Sequence, residues 1–163
     1  MIHNKYLLDI ARSYPAIIII STLILTVFTR DQLFFVLFLL LNISEIVNKI
    51  LKMITERIMG NKSFPIIGMG KRPSTKLKTY GMPSGHSQLA ASLSTFLALL
   101  TIHNTYINEE TKTLINLTLI SMTAYIMYSR VYEKFHTIQQ TIIGSFVGFL
   151  LGYQIYNIYV NYI

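Results

Sequence analysis

The chain contains no cysteine and no tryptophan, and only 13% of its 163 residues are charged. Without cysteine, disulfides and thiolate metal sites are excluded, and nothing follows about redox compartment. A soluble domain carries about 25% charged residues. The shortfall accompanies 52% apolar residues and a mean hydropathy of +0.48, and points to a membrane protein. Acidic residues are the scarcest charge: 7 against 14 Lys and Arg, for a net +7. A basic chain can bind nucleic acid. Here the cations gather in one segment between apolar runs, which favours an anionic lipid headgroup or the membrane surface, and no nucleic acid partner is expected. Internal repeats and low-complexity tracts are absent.

A helical span needs about 20 mostly apolar residues. Five stretches meet or approach this: Ser13–Thr29, Gln32 to about Ile54, Ser84–Ile102, Thr113–Tyr132 and Thr141–Val160. The expected fold is all-α, a polytopic transmembrane helical bundle of five spans, or six, with residues 1–163 as one membrane-embedded domain. Lys5 and Arg12 precede the first apolar run as in a signal peptide, but Thr29-Arg30-Asp31 lacks a small-x-small cleavage pattern, so an uncleaved span is expected. Five spans put the amino terminus on the same face as segments 55–83 and 131–140. On the opposite face Tyr153, Tyr156, Tyr159 and Tyr162 read as interfacial anchors. Gly144, Gly148 and Gly152 recur every four residues, a spacing that lets helix backbones approach closely within the bundle.

Ionisable residues within a span should face a cavity or a partner. Asn42, Glu45, Asn48 and Lys52 recur at helical steps and share one face of the second span. Gly81-Met82-Pro83-Ser84-Gly85-His86-Ser87-Gln88 opens the third span, with Ser84 as N-cap. A helix start binds phosphate through its N–H groups and dipole. Gly85 allows close backbone approach, and His86 in the first turn can protonate a departing oxygen. In Ser129-Arg130-Val131-Tyr132-Glu133-Lys134-Phe135-His136, Arg130 closes the fourth span and can grip two phosphate oxygens. His136 and Gln140 are one turn apart. A nucleophilic histidine needs one ring nitrogen held by an acceptor, and Gln140, Glu133 or a backbone oxygen could fill that role. Each piece alone also reads as a helix end, a turn or a span boundary. Together they fall on one membrane face and fit covalent phosphoryl transfer.

These motifs resemble the type 2 phosphatidic acid phosphatase superfamily, whose pattern is Lys with Arg-Pro, then Pro-Ser-Gly-His, then Ser-Arg, five residues and His. Here they read Lys52 with Arg72-Pro73, Pro83–His86, and Ser129-Arg130 through His136, covering about residues 48 to 140. Within the superfamily, Tyr80–Gln88 and Ser129–Tyr132 with His136-Thr137 and Gln140 are similar to the dolichyl-diphosphatases. The resemblance implies a metal-independent phosphohistidine mechanism. His136 would attack phosphorus and His86 would protonate the leaving group. Lys52, Arg72, Ser84, Gly85 and Arg130 would hold the phosphoryl oxygens. Two departures stand out. Gln140 replaces the Asp that most of the superfamily carries, as in the dolichyl branch. Nineteen residues separate Lys52 from Arg72 where the superfamily has six, so Lys62 or Lys71 are alternatives for the lysine.

The expected substrate is a polyprenyl diphosphate, hydrolysed to the monophosphate. Alternatives are a broader lipid phosphate phosphatase acting on phosphatidate or phosphatidylglycerol phosphate, and an inactive lipid-phosphate-binding membrane protein. No cofactor or metal is expected: cysteine is absent and the two histidines lack a third ligand. Gly68–Lys71 has the wrong glycine spacing for a nucleotide loop. His3 and His103 read as surface residues. Twelve of the 14 Lys and Arg lie on the site face, which by the positive-inside rule is cytoplasmic. The dolichyl-diphosphatase resemblance implies instead a lumenal site in the endoplasmic reticulum membrane, or a plasma or inner membrane in a prokaryote. Asn61-Lys62-Ser63 is a possible glycosylation acceptor in the same loop.

Overall fold

The computed structural model describes residues 2–59, 73 and 80–162. Five helices account for almost all of them: α1 (Ile2–Thr29), α2 (Gln32–Met59), α3 (Gly85–His103), α4 (Glu109–Tyr132) and α5 (Ile138–Tyr162). Each expected span is present as a helix, and four of the five begin earlier or run longer than the apolar stretch predicts. The first is the clearest case. Helix α1 runs through Pro15. Proline removes the N–H that the Ala11 carbonyl would use, but helices in a bundle tolerate this where neighbours satisfy the backbone. Helix α4 starts at Glu109 because the Asn108 side chain caps it, accepting from the Thr111 N–H at 2.8 Å, with Glu109 and Glu110 in the positive first turn.

Two left-handed residues make the tight reversals. Arg30, at φ 56°, joins α1 to α2, where Asp31 Oδ1 accepts from the Leu33 N–H at 2.7 Å. Lys134, at φ 58°, ends α4. There the Arg130 carbonyl accepts from the N–H groups of both Phe135 (3.0 Å) and His136 (3.1 Å), closing the helix end and delivering His136 to the start of α5.

Helix α3 is the centre of the bundle. It packs most extensively on α5, and also on α4 and α2. The contact with α5 is a backbone seam. A Cβ on Gly144 would lie 2.5 Å from the Ser84 carbonyl oxygen, and Cβ atoms on Gly148 and Gly152 would collide with the carbonyls of Gln88 and Ser92. The expected close packing of this stripe is therefore met within the bundle. Around it Leu40, Leu41, Leu89 and Phe96 are fully buried.

Tyr6–Thr29, α2 and α5 are long and apolar enough to cross a membrane by length and composition. Helices α3 and α4 are interrupted by hydroxyls and amides. On α3 these face protein: Ser87, Gln88, Ser92, Ser94 and Thr101 are buried, and Ser94 Oγ meets Thr123 Oγ1 of α4 at 2.8 Å. The tyrosine expectation needs correcting. Tyr156 is buried, edge-on to Phe96 at 6.1 Å and stacked on His103 at 5.6 Å, and Tyr159 tilts against Phe96 at 5.7 Å. Steps of four and three from Gly152 place both on the face that meets α3. Tyr153 and Tyr162 remain exposed.

Candidate active site

The amino-terminal half of α1, the ends of α2 and α4, and the starts of α3 and α5 meet at one end of the bundle. Between them lies a cavity of about 520 Å³. All four residues of the predicted α2 stripe, Asn42, Glu45, Asn48 and Lys52, line it. So do Gly85, His86 and His136. The two imidazoles thus share one cavity on one side of the bundle. Two lining cations went unpredicted, Lys49 and Arg12. Lys49 lies four residues after Glu45, so helical spacing could have found it. Arg12 gave no such signal, because it reads as the flank of an apolar run.

His136 is almost fully buried, and its Nδ1 lies 3.1 Å from Gln140 Oε1. The same oxygen accepts from the Thr137 N–H at 3.2 Å. A backbone N–H can only donate, so the amide presents its oxygen to both neighbours, and the proton of that contact sits on Nδ1. This puts the lone pair of the neutral ring on Nε2, the tautomer a nucleophile needs. Gln140 is therefore the acceptor among the three candidates. Glu133 is engaged elsewhere: its carboxylate pairs with Arg130 on one oxygen and with Arg12, at 2.6 Å, on the other. Arg130 is also buried, with its guanidinium carbon 5.1 Å from the Phe135 ring centroid.

The start of α3 is held from two sides. On the α5 side the Ser84 N–H donates to the Gln140 carbonyl at 3.0 Å. On the α2 side Asn48 Nδ2 donates to the Pro83 carbonyl at 3.2 Å and to Gln88 Oε1 at 2.8 Å, while Gln88 Nε2 donates to the Ser44 carbonyl at 2.8 Å. Gly85 lets α3 approach Asn48 closely, since a Cβ there would sit 3.0 Å from Asn48 Oδ1. Ser84 occupies the N-cap position with extended backbone angles, as expected, but its hydroxyl makes no capping bond. Instead it accepts from Ser87 Oγ at 3.1 Å. Gly85 and His86, in the first turn of α3, line the cavity, and the N–H groups of a first turn have no acceptor within their own helix. His86 Nε2 lies 3.1 Å from the Arg12 carbonyl oxygen.

Of the predicted site residues, His86, His136, Lys52 and Gly85 line the cavity; Ser84, Gln140 and Arg130 are buried beside it. Arg72, Lys62 and Lys71 lie outside the described residues, as does the Asn61-Lys62-Ser63 acceptor. Among the described residues no group of three or more His, Cys, Asp or Glu side chains could hold a metal ion.

The PAP2 superfamily matches residues 32–163, which include α2 to α5 and both histidine motifs. The chain belongs to that superfamily. Among curated PAP2 relatives, Dolichyldiphosphatase 1 of Dictyostelium discoideum is 30% identical over 151 residues, 91% of this chain. Lipid phosphate phosphatase epsilon 1, chloroplastic, of Arabidopsis thaliana is 30% identical over 119 residues, 71% of this chain. The chain spans 62% of the first relative's length and 39% of the second's. The crystal structure of a transmembrane PAP2 type phosphatidylglycerolphosphate phosphatase from Bacillus subtilis superposes with a TM-score of 0.73 at 18% identity, covering 98% of this chain and 78% of that one. The PAP2 fold is thus shared well beyond sequence likeness, and apolar α1, α2 and α5 make this an integral membrane member.

Proposed function

We propose that this PAP2 chain hydrolyses a polyprenyl diphosphate of the dolichyl type to the monophosphate, with the isoprenoid tail in lipid and the headgroup in the cationic cavity. What carries the reading is His136: a buried imidazole whose Nδ1 is held by Gln140, on a cavity it shares with His86. Nε2 of His136 attacks the terminal phosphorus, forming an N–P bond as the P–O bond to the leaving lipid monophosphate breaks. His86 delivers a proton to that oxygen. Water then attacks phosphorus as it gives a proton back to His86, the N–P bond breaks, and orthophosphate leaves. Lys52, Arg72, Arg130 and the α3 start at Ser84 and Gly85 balance the charge on the phosphoryl oxygens. The chemistry needs no metal or other cofactor. The proposed home is the endoplasmic reticulum membrane, or the plasma or inner membrane of a prokaryote.

A broader range of lipid phosphates is the second reading, supported by the similarity to the Arabidopsis lipid phosphate phosphatase. One assay separates the two: phosphate release by the purified protein from polyprenyl diphosphate and from phosphatidate, with and without chelator. The expected outcome is faster release from the diphosphate, unchanged by chelator. His136→Ala should lower turnover by more than about 10³-fold, and a phosphoenzyme trapped on His136 would eliminate the inactive-binder alternative. A His136→Ala variant that retains turnover contradicts the nucleophile assignment.

A further inference from the structure

The Glu133 side chain is buried against Arg130, with 5% of it exposed beside an arginine at 4%. A carboxylate and a phosphoryl group present the same chemistry to a guanidinium fork. If Arg130 alone balanced Glu133, the pair would be neutral, and an incoming phosphate would have to displace a buried carboxylate. The structure supplies a second cation. Arg12, on α1, reaches Glu133 Oε1 at 2.6 Å through both Nε and Nη2. Two cations and one anion leave the trio a single positive charge. The Arg12 side chain is half exposed and lines the same cavity as both histidines. Its backbone carbonyl also takes the contact from His86 Nε2 at 3.1 Å. Asp9 Oδ1, at 2.9 Å, is its other partner, and that pair is solvent-exposed and weak.

We infer that Arg12 is a positioning residue of the phosphate site: by holding the Glu133 carboxylate it lets Arg130 turn its charge on the phosphoryl group, and by its carbonyl it orients His86. This rests on reading Arg130 as a phosphate ligand. Arg12 lies on α1, outside the segment 32–163 that matches the superfamily. The first helix thereby contributes to the site and not to the fold alone.

The test is orthophosphate binding to the purified full chain in detergent, read by calorimetry, so that it needs no turnover. Loss of a charge-assisted bond of about 1.5–3 kcal/mol corresponds to tenfold or more. Arg12→Gln should therefore weaken orthophosphate by about tenfold, while Arg12→Lys stays within about threefold of wild type because it keeps the charge near the carboxylate. The decisive arm is suppression: adding Glu133→Gln to Arg12→Gln should restore binding, because the competing carboxylate is gone. Glu133→Gln alone should bind orthophosphate at least as tightly as wild type. If Glu133 and Arg12 merely brace Arg130, Glu133→Gln weakens binding and the double variant is worse than either single one, which overturns the inference. Should Arg12→Gln fail to fold, Glu133→Gln alone still decides by the direction of its change. A wild type that binds orthophosphate but hydrolyses no lipid phosphate would defeat the proposed function and leave this arrangement standing.

Discussion

Replacing Gln140 by Leu removes the acceptor that fixes the His136 tautomer at nearly constant volume. Oε1 accepts two hydrogen bonds, from His136 Nδ1 at 3.1 Å and from the Thr137 N–H at 3.2 Å, and the side chain is 1% exposed, so no water stands in for it. Each bond contributes about 1 kcal/mol net, and a buried donor left without a partner costs about 1–3 kcal/mol. The loss at Thr137 falls on the folded state as a whole and lowers stability by about 1–2 kcal/mol. The loss at His136 falls on reactivity, because the ring is then free to place its proton on Nε2 and to rotate away from phosphorus. One to two kcal/mol there is about a fivefold to thirtyfold fall in kcat. KM should change little, since no phosphate-binding group is touched. Gln140→Glu keeps the acceptor and recovers most of the rate. The assay is initial-rate phosphate release at saturating lipid, with thermal unfolding followed in the same detergent. A Gln140→Leu protein that folds and turns over within threefold of wild type would refute the tautomer argument.

Two further outcomes concern the frame. Gly148→Ala places a methyl group against the Gln88 carbonyl and should destabilise the bundle by about 1–3 kcal/mol, read as a lower unfolding midpoint, whereas alanine at exposed Ser13 should be neutral. Lys134→Gly relieves a left-handed φ of 58° at the end of α4 and should leave stability unchanged or raise it by up to about 1 kcal/mol, whereas Lys134→Val should lower it.

The sequence made the helices legible because apolar runs and polar stripes have different periods. Asn42, Glu45, Asn48 and Lys52 at helical steps already implied a cavity, and they line one. Gly144, Gly148 and Gly152 implied a close contact without naming the partner helix, because spacing describes one surface of a pair. What stayed hidden was relational. Arg12 and Glu133 are 121 positions apart, and nothing local marks them as partners. Tyr156 looked like an interfacial anchor because tyrosine is amphipathic, and only the packing of α3 on α5 turns its ring inward. Glu133 was a fair candidate for the His136 acceptor by distance along the chain. Helical spacing sets it three residues from Arg130, and that guanidinium takes its carboxylate.

The Ser84 N–H to Gln140 carbonyl bond joins the main chain of one histidine motif to that of the other, and the glycine seam runs directly on from it. The spacing of His86 and His136 therefore rests on peptide groups and on a seam without side chains, so a methyl group added along it would push the two helices apart. A ligand entering the cavity cannot part α3 from α5 without breaking that clamp. The α1 side of the cavity is lined instead by the side chains of Arg12, Pro15, Ala16 and Ile19, which can shift without breaking that main-chain bond.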